Sequence, residues 1–209
     1  MLCSGHCGTK TAEYTAWALP ERICRALGTL NPPPNRLDLN NDQDYRERIS
    51  MLLGEEIEKF DREIGEAVIG LCKNPTKLTE AQARDLVRKH SEVLSRAYHG
   101  TTVTIALLNR TQETVWLAGV GDSTVGEYEY IEFSESAHNI FQTLPAISCT
   151  NADGTRTGER LLDLHTSTTP SEYFRVSMSH PAAEREVFVN DRLLDVLSMT
   201  RGLCIFCQQ

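Results

Sequence analysis

The chain of 209 residues is 40% apolar, enough for one domain with a core and too little for two independent catalytic domains. Its 21 basic and 29 acidic side chains leave a net charge of −8, which speaks against nucleic acid or an anionic membrane as a partner. The apolar runs at 105–108 and 115–120 fall far short of the roughly 20 residues that cross a bilayer. The first residues, MLCSGHCGTKTAEY, lack the basic end and apolar core of a secretory leader. These features predict an intracellular chain, cytoplasmic or mitochondrial. Seven cysteines, an odd number, predict reduced thiols rather than a disulfide scaffold.

Residues 11–27 carry Tyr14, Trp17, Ala18 and Ile23 at helical spacing, with Thr9 or Thr11 as cap and Pro20 as a potential kink. Residues 28–44 hold Pro32, Pro33, Pro34 and a run of Asn and Asp, which predicts a surface loop. From Ile49 to Leu71 the apolar positions repeat at i, i+3 and i+4, the pattern of an amphipathic helix. Thr79 followed by Gln82 is a capping box that starts a second helix over 79–98, expected to pack antiparallel on the first. This pair is expected to be the best protected region of the chain.

At Gly100 the period changes to two. Val103, Ile105 and Leu107 alternate with threonines and alanine, a turn follows at 109–114, and an apolar run returns at 115–120, which together predict a hairpin. Residues 126–133 alternate again and read as a third strand. Residues 134–160 are polar and give no clear reading. A short helix over 170–180, started by Thr168 or Thr169, and a strand at 187–189 complete the expectations.

Several residue groups carry chemistry. Asp122, in Gly121-Asp122-Ser123 at the end of the hairpin, is either a turn-capping carboxylate or a metal ligand. The turn Gly5-His6-Cys7-Gly8 before a helix either holds an anion or is a flexible start. Cys3, His6 and Cys7 at one end, with Cys204 and Cys207 at the other, have zinc-like local spacing, against the simpler reading of terminal thiols with no joint role. His90 falls on an apolar helix face and is read as a core histidine. The charges of 55–66 read as a solvated helix face.

In order along the chain, these segments resemble the metal-dependent protein serine/threonine phosphatases, the protein phosphatase 2C family. Ser4-Gly5-His6-Cys7-Gly8 looks like that family's Asp-Gly-His-Gly-Gly, and Gly100-Thr101-Thr102-Val103 like its Gly-(Ser/Thr)-Thr strand. Val120-Gly121-Asp122-Ser123 looks like its Val-Gly-Asp-Ser turn. His165-Thr166, Pro170-Ser171-Glu172-x-x-Arg175 and the stretch from Asn190 through Thr200-Arg201-Gly202 resemble the segment before its Arg-x-Phe-Gly-Asp turn. The similarity extends from Ser4 to Gly202 and is nearest the pyruvate dehydrogenase phosphatase-like branch.

The resemblance implies an α+β fold, a partial β-sandwich with antiparallel helices packed on its faces, in a single domain, 1–209, truncated at both ends. It implies hydrolysis of phosphoserine and phosphothreonine on a phosphorylated protein substrate by a Mg²⁺ or Mn²⁺ pair that makes hydroxide at neutral pH. Gly5 would offer its carbonyl to a metal, Asp122 would serve an accessory metal, and His6 would protonate the leaving oxygen. The departures are as informative. Ser4 stands where the family has its metal-bridging Asp, Cys7 replaces a glycine, and the family's later acidic motifs have no counterpart. The expected outcome is weak or absent metal binding and impaired hydrolysis. The alternatives are a non-catalytic pseudophosphatase or binding fragment, and zinc-dependent assembly through the terminal cysteines.

Overall fold

The computed structural model describes residues 1–30, 43–110, 114–123, 162–180 and 187–203, with 146–150 and 156–160 described by their backbone. Strand β1 (Leu2–His6) leads into helix α1 (Lys10–Leu27), followed by the long helix α2 (Gln43–Leu71). A 3-10 turn at Pro75–Lys77 precedes α3 (Glu80–Lys89) and α4 (Ser91–Tyr98), and the chain then enters the hairpin of β2 (Gly100–Asn109) and β3 (Thr114–Val120). The remaining described elements are β4 (Ala146–Thr150), β5 (Arg156–Arg160), α5 (Pro170–Ser179), β6 (Phe188–Val189) and β7 (Arg192–Leu193). The class is α+β, with small antiparallel sheets.

Helix α1 buries Thr11, Thr15, Leu19 and Ile23, a stripe at i, i+4, i+8 and i+12, and continues through Pro20 to Leu27. Helix α2 buries Ile49, Leu53, Ile57, Phe60 and Ile64. It starts at Gln43, six residues before the apolar stripe, because residues 43–48 are good helix formers that carry charge rather than periodicity. The start is anchored where the Trp116 indole donates to the Arg46 carbonyl at 3.3 Å. Tyr14 stacks on Phe60 at 5.3 Å, Arg22 lies over the Phe60 ring at 5.5 Å, and Arg96 covers Tyr14 at 4.3 Å. These aromatic contacts tie α1, α2 and α4 together.

The predicted helix over 79–98 is two helices. The capping box forms as expected, with Thr79 and Gln82 exchanging hydrogen bonds, but His90 leaves helical geometry at φ −123° and ψ 27°. Its N–H closes α3 on the Leu86 carbonyl and its own carbonyl opens α4 by accepting from Leu94. Apolar spacing counts residues, so a stripe interrupted by one non-helical residue still looks continuous. His90 is therefore a half-buried joint rather than a core histidine. Among the described residues α4 packs against α1 and α2, whereas α3 touches α4 and buries no residue at all.

Strand β2 is central in the order β1-β2-β3. It pairs antiparallel with β1 (Ser4 opposite Thr102, His6 opposite Gly100) and with β3 (Val103 opposite Val120, Leu107 opposite Trp116). By this register Cys3, Val103, Ile105, Leu107, Val120, Ala118 and Trp116 share one face, which joins Leu53, Phe60 and Leu19 in the main core. Beyond Val120 the strand position beside Thr101 passes to Leu203, which exchanges two backbone hydrogen bonds with Thr101 at 3.1 and 2.9 Å. Strand β1 was not foreseen, because LCSGH carries small and polar residues instead of an alternating apolar set.

Within the stretch that gave no reading, β4 and β5 form a hairpin, Ala146 opposite Arg160. The strand expected at 126–133 lies outside the described residues, as does most of the expected loop at 28–44. The short helix and the strand near 187–189 are present as α5 and β6, and Asn190 and Asp191 at φ 51° and 58° make the two-residue turn that returns β7 along β6.

One carboxyl sits badly in this frame. Asp61, midway along α2, has an enclosed Oδ1 with no hydrogen-bond partner, and burial pushes its carboxyl up to about 6. A raised carboxyl favours the fold while protonated, so this contribution is complete below the unfolded pKa near 3.8 and is lost as pH rises through about 6. Asp61→Asn is expected to stabilise the chain at pH 7.5 by about 1–2 kcal/mol, allowing for partial exposure, and by much less at pH 4.5, as read by urea unfolding. Burial also predicts the order of amide exchange: β2 and the middle of α2 slowest, α3 fastest among the helices. Slow exchange across α3 would contradict this packing.

Candidate functional site around His6

Three of the four segments that carry the resemblance lie together, although nearly a hundred residues separate the first from the other two. Strand β1 delivers Ser4, Gly5 and His6 to the edge of β2, and Cys7 and Gly8, both at positive φ (58° and 140°), turn the chain into α1. Gly8 faces the His99 ring so closely that a Cβ there would come within 2.4 Å of it. Gly100 lies under His6, where a Cβ would stand 1.7 Å from Nε2. His99 then caps α1 from 89 residues away, its Nδ1 accepting the Lys10 N–H at 3.2 Å. The Thr11 hydroxyl lies 2.6 Å from the carbonyls of both Arg96 and His99. Thr9 occupies the cap position without capping; its hydroxyl donates to Glu13 instead.

His6 is half-buried, and both ring nitrogens are enclosed with no hydrogen-bond partner among the described residues. Burial pushes its imidazole down, and the charge of Asp122 opposes that shift. Gly5 is exposed beside it. Asp122 is half-buried in the turn that leaves β3, where its Oδ2 accepts from the Ser198 hydroxyl at 2.9 Å. The turn is pinned on both sides. Gly121 donates to His165 Nδ1 at 3.0 Å and accepts from the His165 N–H at 3.1 Å, while Thr104 donates to the Ser123 carbonyl at 2.9 Å. The Thr102 hydroxyl is 2.5 Å from that of Ser123 and 3.5 Å from the Ser4 carbonyl, so it links the Asp122 turn to β1.

Accepting at Nδ1 requires His165 to be neutral there, and burial, followed by the charges of Arg201 and Arg175, pushes its pKa down. Behind it lies a buried ionic cluster that residue patterns did not reveal. Glu172 of α5 is 3% exposed. Its carboxylate accepts from Arg201 Nε at 3.0 Å, Arg175 at 2.8 Å and the Thr200 hydroxyl at 2.6 Å. Burial alone would raise Glu172, but these hydrogen bonds outweigh it and hold the carboxylate well below its ordinary range. The cluster joins α5 to the 200–203 segment and through Leu203 to β2. Thus His165, Glu172, Arg175 and Arg201 serve to place the turn that carries Asp122.

His6, Gly5 and Asp122 lie at one end of the central sheet, and Asp122 sits in a turn with its Oδ2 on the Ser198 hydroxyl. Ser4 brings a hydroxyl, and among the described residues Asp122 is the carboxylate whose charge acts on His6. Among the described residues no group of three or more His, Cys, Asp and Glu side chains gathers as a metal site. Hard divalent cations held as a pair need several carboxylates to offset their repulsion, so this donor set does not fit the Mg²⁺ or Mn²⁺ pair. Cys204 and Cys207 lie outside the described residues. Sequence reasoning missed His99 as the cap of α1 and Ser198 as the partner of Asp122, because neither sits in a local pattern.

No family model matches the sequence, and no curated protein matches it. A solved structure titled "Structure of a C.elegans sex determining protein" superposes at a TM-score of 0.52 with 19% identity. The alignment covers 96% of this chain, which spans 34% of that chain. At that identity the likeness is one of fold. No helix among the described residues is long and apolar enough to cross a membrane.

Glu172→Gln leaves two arginines without their common carboxylate and is expected to cost about 3 kcal/mol of unfolding free energy at pH 7. A depressed carboxylate stabilises the fold above its unfolded pKa and loses that contribution as pH falls, so the difference between wild type and variant should shrink from pH 6 to pH 3. Denaturant titrations at the two pH values measure both effects.

Proposed function

We propose that this chain is a phosphatase-like domain related to the metal-dependent protein serine/threonine phosphatases, in which hydrolysis of phosphoserine and phosphothreonine is impaired. The observation that carries the reading is the meeting of Ser4–His6, Gly100–Thr102 and Gly121–Ser123 around one imidazole with enclosed, unpartnered nitrogens. Random similarity in three short motifs gives no reason for them to converge. The finer architecture of a partial β-sandwich belongs to the same proposal, supported by helices on one face of the sheet and by the 121–123 turn on the other. Impairment follows from charge: with a hydroxyl at position 4 the site lacks the bridging anion that metal-generated hydroxide requires. The domain then keeps the surface for a phosphorylated protein and lacks the means to cleave it.

Two measurements test this. Purified chain in millimolar Mn²⁺ should release no phosphate from a phosphothreonine peptide, and Ser4→Asp alone should not restore release; Mn²⁺-dependent turnover by either protein would refute the impairment. Kinship is tested by paramagnetic NMR. In Ser4→Asp, Mn²⁺ should broaden amide signals of residues 4–8 and 121–123 more than in wild type, and the gain should vanish when Asp122→Asn is added. Unchanged signals at both segments would sink the shared-site reading.

A further inference from the structure

We propose that the groove between the end of α2, α3 and α4 is the docking site for an amphipathic helix of a protein partner, seated with an acidic side chain against Lys73. The groove encloses about 900 Å³ and is lined by Val68, Leu71, Leu78, Leu86 and Leu94, none of which is fully buried. Helix α3 has a formed capping box and ion pairs from Arg84 to Glu80 and from Arg88 and Lys89 to Asp85, so its outer side is self-contained. Its apolar side is uncovered by the described residues.

Three observations select the occupant. The apolar surface continues past the cavity onto Ile69 (63% exposed), Val87 (55%) and Tyr98 (64%), whereas a small ligand is mostly enclosed by its pocket. The occupant is therefore wide enough to cover the lips. The walls are helices whose backbone groups are already paired, so an extended peptide would carry unmatched N–H and C=O groups into an apolar slot; a helix brings its own hydrogen bonds. Lys73 is the charged residue among the described lining, and no carboxylate of the described residues pairs with it. That charge selects an acidic partner residue. None of these residues belongs to the His6 site, so the inference is independent of the phosphatase reading.

The probe is a displayed library of 16-residue peptides, selected on the whole chain and counter-selected on Val87→Glu. Val87 is exposed, so that substitution leaves the fold intact, which circular dichroism verifies. The expected winners form helices, present apolar residues at i, i+3 or i+4 and i+7, and carry Asp or Glu. As synthetic peptides they should bind wild type at least tenfold more tightly than Val87→Glu, and Lys73→Glu should reverse the preference for acidic over basic versions. Enrichment of extended or basic sequences, or winners that bind Val87→Glu equally, would overturn the proposal. So would an unenriched library, or self-association in sedimentation that Val87→Glu abolishes, which would assign the groove to a second copy.

Discussion

The burial of β2 on both faces is the constraint from which the rest of the structure follows. Thr101, Thr102, Val103 and Thr104 are at most 1% exposed, and Ile105 is 6% exposed. The valine and isoleucine are satisfied by apolar helix stripes, but a buried hydroxyl without a partner costs about 1–3 kcal/mol. Each threonine therefore dictates where another segment must lie. Thr101 reaches the Ser4 carbonyl, Thr102 the Ser123 hydroxyl, and Thr104 the Ser123 carbonyl. Strand β1 and the 121–123 turn are thus fixed on β2 by hydrogen bonds, and His6 and Asp122 are brought together as a consequence.

A second level of support stands behind that contact. Leu203 fills the strand position that β3 vacates, and the Glu172 cluster holds the segment leading to it. His165 transmits this support to the Asp122 turn through a pair of hydrogen bonds that demand a neutral Nδ1. On the other side, His99 joins the end of α4 to the start of α1 and occupies the space that a glycine leaves open. Histidines at 99 and 165 are thus structural acceptors, whereas both enclosed nitrogens of His6 have no hydrogen-bond partner among the described residues.

Position 4, opposite Thr102 on the edge of β2, carries a serine hydroxyl and no charge. A neutral hydroxyl does not supply the charge that a pair of divalent cations needs, and among the described residues no group of three or more His, Cys, Asp and Glu side chains gathers there. The helical layer adds a separate feature, an apolar groove between the end of α2, α3 and α4 whose walls the described residues leave partly exposed.

Local pattern determined much of the secondary structure. The stripe from Ile49 to Leu71, the Thr79 capping box, the alternation from Val103 and the short helix before Ser179 were each written in residues three, four or two apart, where side-chain period reports backbone geometry. Short motifs also singled out Gly5, His6 and Asp122. Tertiary structure alone decided the rest. Strand β1 exists because β2 needs an edge partner, not because LCSGH favours extension. The break at His90 arises where α4 packs and α3 does not, and periodicity is blind to one non-helical residue. The bonds from Thr200 and Arg201 to Glu172, the His99 cap and the bond from Ser198 to Asp122 link residues 28 to 89 positions apart. Such pairs carry no spacing rule, since the distance between them is set by how the sheet and helices stack rather than by the count of residues along the chain.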